Sequence, residues 1–313
     1  MPEVSVAQQR IRVAPASNLL DSLLAAGVPV AHSCRAGSCH ACMVRCVGGV
    51  LVDAQSQALS LSQREQGWRL ACQCQVQDDV SIELFDPIRD AQSARVHSCD
   101  WLSEQVLRLR LQLQRPLRYS AGQYVQLWIA DDIARPYSLA SLAGEDPWLE
   151  LHIDCAANGA FTSRARHLQA GDSLAVGELR GAALHYDPQW QAYPLWLLAA
   201  GTGLAPLYAV LREALRQEHS APIHLLHVAR SAAEHYLREE LEELARQYPQ
   251  LQLQYCQATE LAPALAQLRL VSRQTRALLC GAPERVEEFS RRLYLAGLPR
   301  NQIFADLYLP RAR

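Results

Sequence analysis

The sequence predicts a multidomain protein. A small α+β segment at residues 1–88 is followed by an antiparallel β-barrel at 94–190 and a parallel α/β domain at 191–313. Three observations carry this reading. The first segment holds a tight run of cysteines between short strand-like and helical stretches, with no turn signals dividing it. The second alternates apolar and polar residues with period two between glycine-rich turns. The third changes period, so that apolar strands alternate with helical stretches. A chain of 313 residues, half of them hydrophobic, can bury two or three cores of this kind at ~100–200 residues per domain.

In the first segment, Val4–Val6 and Ile11–Val13 read as strands and Asn18 to Ala26 as a helix stopped by Gly27. The cysteine loop follows, then a hairpin around Val44–Val52 and a closing strand at Val80–Leu84. Phe85-Asp86-Pro87 and the polar residues to Ser93 read as a linker. In the second segment the strands are Val106–Leu111, Tyr124–Ile129 and Leu149–Ile153, separated by Ala121-Gly122, Gly144 to Pro147 and Gly171-Asp172. In the third they are Leu195–Ala199, Ile223–Val228, Leu251–Tyr255 and Ala277–Leu279. A helix is predicted from about Glu234 to Gln247, with Leu237, Leu241 and Leu244 on one face.

Composition excludes several classes. The net charge of −2 supplies no basic field for nucleic acid. The longest apolar run, Pro194 to Ala200, is far shorter than the roughly 20 residues of a membrane helix and reads as a buried parallel strand. All 30 basic residues are arginine, which GC-rich codon usage explains better than a built anion site.

Cys34, Cys39 and Cys42 read C-x4-C-x2-C, and Cys72 follows from another segment. This is the plant-type spacing of a [2Fe–2S] cluster. The cluster needs thiolates and also backbone N–H groups aimed at sulfur, which a loop containing Gly37 can provide. Zinc is the competing metal, because any CxxC invites it. Zinc requires neither the C-x4-C step nor the glycine inside it. Cys74 is an alternative fourth ligand. Cys46, Cys99, Cys155 and Cys256 read as small buried apolar residues. So many free thiols suit a reducing cytoplasm, and a disulfide framework belongs to smaller secreted chains.

Four further motifs carry chemistry. Arg135-Pro136-Tyr137-Ser138 follows a barrel strand and offers a ring to stack, a hydroxyl and a bidentate phosphate donor. Its plain reading is a proline-led turn with a packed tyrosine. Asn158-Gly159-Ala160-Phe161-Thr162-Ser163 opens a helix where N–H groups can hold a pyrophosphate, although an ordinary helix cap has the same form. Gly201-Thr202-Gly203-Leu204-Ala205-Pro206 turns from a buried strand into a helix, where a dinucleotide phosphate binds. Cys280-Gly281-Ala282-Pro283 lies at the carboxyl end of the last predicted strand. Cys280 there either faces a nicotinamide or is a buried thiol.

Together and in this order, these motifs resemble the ferredoxin-type NAD(P)H reductases that supply electrons to bacterial oxygenases and to deoxysugar dehydratases, the latter being the CDP-6-deoxy-glucoseen reductase-like proteins. The resemblance covers essentially the whole chain. It implies a β-grasp ferredoxin-like domain, a flavin barrel and a nicotinamide domain. It implies the cluster ligands Cys34, Cys39, Cys42 and Cys72. The family's R-x-Y-S/T appears as Arg135 to Ser138, its G-x-x-S/T as Gly159 to Thr162, its G-T-G-x-A-P as Gly201, Thr202, Gly203 and on to Pro206, and its C-G-x-P as Cys280 and Gly281 onward. FAD rather than FMN is adopted on the resemblance alone. Gly177 to Gly181 replaces the family's G-P-x-G, and Asp306-Leu307-Tyr308 replaces glutamate-x-phenylalanine, with Tyr308 expected to shield the flavin.

The implied activity is transfer of electrons from NAD(P)H through FAD to the [2Fe–2S] cluster and on to an electron-accepting protein. A nicotinamide yields two electrons as hydride, a cluster takes one, and a flavin mediates between them. Ser138 and Cys280 are the expected catalytic residues, beside the reacting rings. Arg230, near the end of the second strand of the α/β domain, is expected to meet the 2′ position of the nucleotide ribose. The competing readings are a slow redox-responsive regulatory or electron-channelling subunit, and transfer in reverse to NAD(P)+.

Overall fold

The computed structural model describes residues 1–181, 183–267 and 270–309, Gln267 by its backbone alone. The first sheet is five-stranded, in the order Gln9–Arg12, Glu3–Val6, Val80–Leu84, Met43–Gly48 and Trp68–Leu70. Glu3–Val6 runs parallel to Val80–Leu84, and the other pairs are antiparallel. The helix Leu19–Ala25 lies where the sequence predicts it, with Leu19, Leu20 and Leu23 fully buried. Asn18 caps it by accepting the Asp21 N–H at 3.2 Å, and Gly27 leaves it with φ +76°.

The hairpin expected around Val44–Val52 does not form. Met43–Gly48 already has both edges paired, to Trp68–Leu70 and to Val80–Leu84. Leu51–Asp53 therefore has no free edge there, and joins a small separate sheet with Cys74–Val76 and Ser17–Asn18. Gly49 makes the break at φ +78°, where a Cβ would sit 2.2 Å from the Asp79 carbonyl oxygen.

The polar stretch read as a linker is also ordered. Pro87–Asp90 forms a short helix capped by Asp86, and the first barrel strand begins at Gln92. Phe85 stacks on Trp128 of the barrel at 4.8 Å and leans on Trp68 of the first sheet at 5.8 Å. Packing of the half-buried Phe85 on the buried Trp128 outweighs the polar, turn-rich composition of the segment.

The barrel has six antiparallel strands in the order Ile133–Ser138, Tyr124–Ala130, Ser173–Arg180, Gln92–Trp101, Val106–Leu113 and Leu149–Asp154. A bridge between Leu139 and Leu151 joins the two ends of that order. Period-two patterning is honoured inside it, where Leu107, Leu109, Leu111, Val125, Leu127 and Leu151 are buried.

The last sheet is fully parallel, in the order Leu251–Gln257, Ile223–Ala229, Leu195–Ala200, Arg276–Gly281 and Ile303–Leu307. The fifth strand was not predicted. The order reverses between Leu195–Ala200 and Arg276–Gly281, which places a ligand crevice at their carboxyl ends. The helix expected from Glu234 starts at Arg238, because Leu237 is held at φ +55° after a 3₁₀ turn at Ala232–Glu234. Val106, Ala121, Leu142 and Leu184 of the barrel segment share one apolar cluster with Leu195 and Leu278 of this sheet and with Leu207 of the helix Leu204–Arg216.

Trp128 is 3% exposed and packs against Ala31, Cys39 and Ala41 of the cysteine loop. Trp128→Ala is expected to lower unfolding stability by roughly 3–5 kcal/mol and to speed proteolysis between residues 85 and 93. Denaturant melts and timed digestion check this, and unchanged values for both would show that the stack does not hold the segments together.

Candidate functional site

The cysteine loop is shaped by backbone turned into the left-handed region at Arg35 (φ +52°), Gly37 (+76°) and His40 (+58°). At Gly37 it is the φ of +76° that favours glycine, since the nearest atom to a Cβ there is the mobile tip of Gln55. These turns aim amides at sulfur. The N–H groups of Ala36 and Cys39 both point to Cys34 Sγ at 3.3 Å, and Gln73 Nε2 donates to Cys72 Sγ at 3.3 Å.

The four thiols associate two by two. A hydrogen bond from Cys39 pulls the Cys34 thiol down to about 4, and the same bond pushes Cys39 up. A hydrogen bond from Cys42 lowers Cys72 to about 7 and raises Cys42. Two pairs of thiols suit a binuclear cluster, in which each iron takes two. Cys74 is fully buried in the apolar core, and burial raises its thiol to about 12. Cys155 and Cys256 are buried as expected, whereas Cys46 and Cys99 are only partly so.

A cleft of about 520 Å³ lies beside this loop. Cys34 and Cys39 form one wall, Arg135 to Ser138 with Tyr124 another, and Gly159, Phe161 and Thr162 a third. Thr202, Asp306 and Tyr308 close it from the parallel sheet. The structure thus brings together residues from all three segments.

Each wall has a local cause. Tyr137 is seated on Phe161, ring centroids 5.0 Å apart. Thr162 Oγ1 accepts the Gly159 N–H at 2.9 Å and donates to the Ala157 carbonyl at 2.7 Å, so this motif is a helix cap for Ala160–Ala165 and a cleft wall at once. Arg135 Nη1 donates to the carbonyls of Ala134 (2.6 Å) and His32 (3.1 Å). The Tyr308 hydroxyl lies 3.1 Å from Ser138 Oγ and 3.3 Å from the Thr202 carbonyl oxygen.

The glycine turn packs against the neighbouring strand. A Cβ on Gly203 would lie 2.2 Å from the Cys280 carbonyl oxygen, and one on Gly281 2.8 Å from Ala200 Cβ. Gly201 takes φ +56°, and its carbonyl is met by the buried His227 Nε2 at 3.1 Å. Pro206 is buried in the helix Leu204–Arg216. Cys280 is fully buried and hydrogen-bonded to Tyr308, which stands between it and the cleft. Arg230 lies away from the cleft on the exposed end of Ile223–Ala229, paired with Glu234 at 2.9 Å and bonded to Gln105.

Several wall residues carried no sequence motif. Tyr124 was visible only as one position of an alternating strand. Phe161 lay inside a motif without an assigned role. His152 is buried, with Nε2 3.1 Å from Glu150 Oε1 and Nδ1 3.3 Å from the Tyr236 hydroxyl. Glu150 is two residues before it, but no local pattern marks the site because the other partner, Tyr236, is 84 residues away.

Burial raises the Asp306 carboxyl to about 6. A carboxylate whose folded pKa lies above its unfolded value destabilises the fold when ionised. That penalty is absent below the unfolded value and complete above the folded one. Asp306→Asn is therefore expected to stabilise the protein at pH 8. The gain should fade as pH falls through 6 toward about 4, near the ordinary carboxyl value. Thermal melts from pH 4 to 8 check this, and a pH-independent difference would contradict it.

Residues 4–77 match the 2Fe-2S iron-sulfur cluster binding domain, 93–184 the oxidoreductase FAD-binding domain and 197–292 the oxidoreductase NAD-binding domain. The ferredoxin–NAD(P)+ reductase component of the naphthalene 1,2-dioxygenase/salicylate 5-hydroxylase systems of a Ralstonia species is 31% identical, over 94% of each chain. The reductase subunit of an Amycolatopsis aromatic O-demethylase is 33% identical over 79% of this chain and 77% of its own length. Among solved structures, the Amycolatopsis cytochrome P450 reductase superposes with a TM-score of 0.67 at 27% identity, covering 99% of each chain. With paired thiols, a flavin-motif wall and a glycine turn at a sheet's switch point, this chain belongs to the ferredoxin–NAD(P)+ reductases that carry a [2Fe–2S] cluster, FAD and a nicotinamide-binding domain.

Proposed function

We propose that this NAD(P)H-dependent iron–sulfur flavoprotein reductase delivers its electrons to an oxygenase, within a reducing cytoplasm. What supports the partner is the naming of its relatives, which serve dioxygenase, hydroxylase and demethylase systems. The observation that carries the electron route is the shared cleft, where Cys34 and Cys39 stand in one wall and Tyr137, Ser138 and Tyr308 in the others.

The residues fit the three groups. Cys34, Cys39, Cys42 and Cys72 are the cluster ligands in this reading, within a ferredoxin-type unit at 1–88. Tyr137 and Pro136 would flank the flavin ring, Ser138 would present its hydroxyl to it, and Arg135, Gly159 and Thr162 would hold its phosphates, within a barrel unit at 94–190. Gly201, Thr202, Gly203 and Pro206 shape the turn that receives the nicotinamide nucleotide, with Cys280 and Gly281 behind it, within 191–313. When bound, FAD exchanges electrons in pairs or singly, and the cluster exchanges them singly. The chain's own work is to place these groups and exclude water. Tyr308 occupies the face beside Ser138 and must give way for the nicotinamide ring to approach. Its hydroxyl contacts to Ser138 and Thr202 set its resting place.

Anaerobic addition of NADH or NADPH to the holoprotein, followed by an artificial one-electron acceptor, tests the reading. Both flavin and cluster absorption should bleach and then recover. Cys39→Ser should lose the cluster absorption while flavin binding and its reduction by NAD(P)H persist, because the barrel has its own core. A zinc-loaded, iron-free protein prepared anaerobically with iron supplied would sink the assignment. Arg230→Ala should raise the KM for NADPH more than that for NADH. Equal effects on both nucleotides would remove Arg230 from recognition of the 2′ position.

A further inference from the structure

The cysteine loop directs carbonyls toward the barrel, and the barrel answers with side-chain donors. Tyr124 OH donates to the Ser38 carbonyl at 3.0 Å. Arg135 Nη1 donates to that of His32 at 3.1 Å. With its amide oriented to satisfy its neighbours, Gln126 donates to the Cys39 carbonyl at 2.8 Å and accepts the Arg135 N–H at 3.0 Å. Gln126 is only 4% exposed, so its amide has no ready exchange with water.

The donors occupy two adjacent strands in fixed register. Tyr124 lies opposite Ser138, Gln126 opposite Pro136, and Arg135 belongs to the same flavin-motif strand. One ladder therefore carries both the flavin wall and the seat of the cysteine loop. A displacement of the loop relative to the flavin motif would have to break these contacts together.

We propose that Tyr124, Gln126 and Arg135 are positioning residues that dock the cluster loop at the flavin cleft and so govern the passage of electrons from flavin to cluster. This rests on the flavin and cluster assignments above. In that sequence NAD(P)H is oxidised to NAD(P)+ as its hydride enters the flavin. The two electrons leave singly, each reducing a ferric iron of the cluster before passing to the acceptor protein, and the proton goes to solvent. The docking contacts bear on the second of these events and not on the first. An ordinary domain contact would instead affect stability with no preference for either.

Gln126→Leu and Tyr124→Phe test this in the holoprotein by anaerobic stopped-flow mixing with NADH, with flavin and cluster bands followed separately. In Gln126→Leu, flavin reduction should keep the parental rate. Cluster reduction should slow by roughly two- to tenfold, the factor by which loss of one hydrogen bond lowers the docked population. The cluster's midpoint potential and paramagnetic resonance spectrum should stay parental. Amides of residues 33–41 should exchange hydrogen faster, a readout that needs no turnover. In Tyr124→Phe the ratio of cluster to flavin reduction rates should fall. That variant decides the matter if Gln126→Leu fails to load its cluster. Parental ratios in the loaded variants, or equal slowing of both phases, would overturn the proposal. A parent protein that shows no flavin or cluster band would instead overturn the assignments beneath it.

Discussion

The cysteine loop is built around inward-facing amides, and most of the architecture follows from that. To aim the Ala36 and Cys39 N–H groups at Cys34 sulfur, the backbone must pass through the left-handed region at Arg35, Gly37 and His40. A peptide unit that turns its N–H inward turns its C=O outward. Outward carbonyls at a buried contact need donors, and each one left without costs about 1–3 kcal/mol. Of these two peptide units, the Arg35 carbonyl is served by Gln73 from within the same segment and the Ser38 carbonyl by Tyr124 of the barrel; Arg135 and Gln126 serve two further carbonyls of the loop, those of His32 and Cys39. The loop thus docks on a surface that supplies donors to its carbonyls, the strand pair Tyr124–Ala130 and Ile133–Ser138.

The opposite side of the cleft obeys a steric constraint instead. Gly203 lets the turn after Leu195–Ala200 lie on the carbonyl of Cys280, closer than any side chain permits. The barrel reaches this region through a buried polar chain. Arg110 pairs with Glu150 at 2.7 Å, Glu150 with His152, and His152 with Tyr236 of the α/β segment. Burial pushes Glu150 up, yet the hydrogen bonds from His152 and Arg110 outweigh it and hold the carboxyl at about 2. Tyr236 in turn sets its ring edge against His227, whose Nε2 meets the Gly201 carbonyl. Packing and polar contacts together hold the nucleotide turn in place against the barrel.

Much of this was legible in the sequence because it is local. Period two announced the barrel, the change of period announced the parallel sheet, and cysteine spacing with Gly37 announced the thiol loop. What escaped depends on partners remote in the chain. The Val44–Val52 hairpin failed because both edges of Met43–Gly48 were claimed by strands up to forty residues away. The supposed linker was ordered because Phe85 finds Trp128. Tyr124 and Gln126 are ordinary alternating strand positions until the loop they serve is folded onto them. The motif residue Arg135 was readable as an anion donor, but its bond to His32 was not, since no spacing rule connects residues 103 apart.

The two sides of the cleft are held with different firmness, and this suits what each must do. On the cluster side, backbone carbonyls are pinned by three side chains above a stacked pair of rings. A resident group gains from such rigidity, because its distance to the flavin should not vary between turnovers. On the side that the proposed function gives to the nicotinamide, Tyr308 lines the cleft, its tip held by its hydroxyl at 3.1 Å from Ser138 and 3.3 Å from Thr202. Neutral hydrogen bonds of this kind contribute only about 0.5–1.5 kcal/mol net, which a binding nucleotide can readily replace. The nucleotide must enter and leave in every cycle, so a cover held by side-chain contacts is the appropriate device. In the reading proposed above, only the tip of Tyr308 is exchangeable, while its backbone is anchored by the N–H it donates to the Gly281 carbonyl at 2.9 Å.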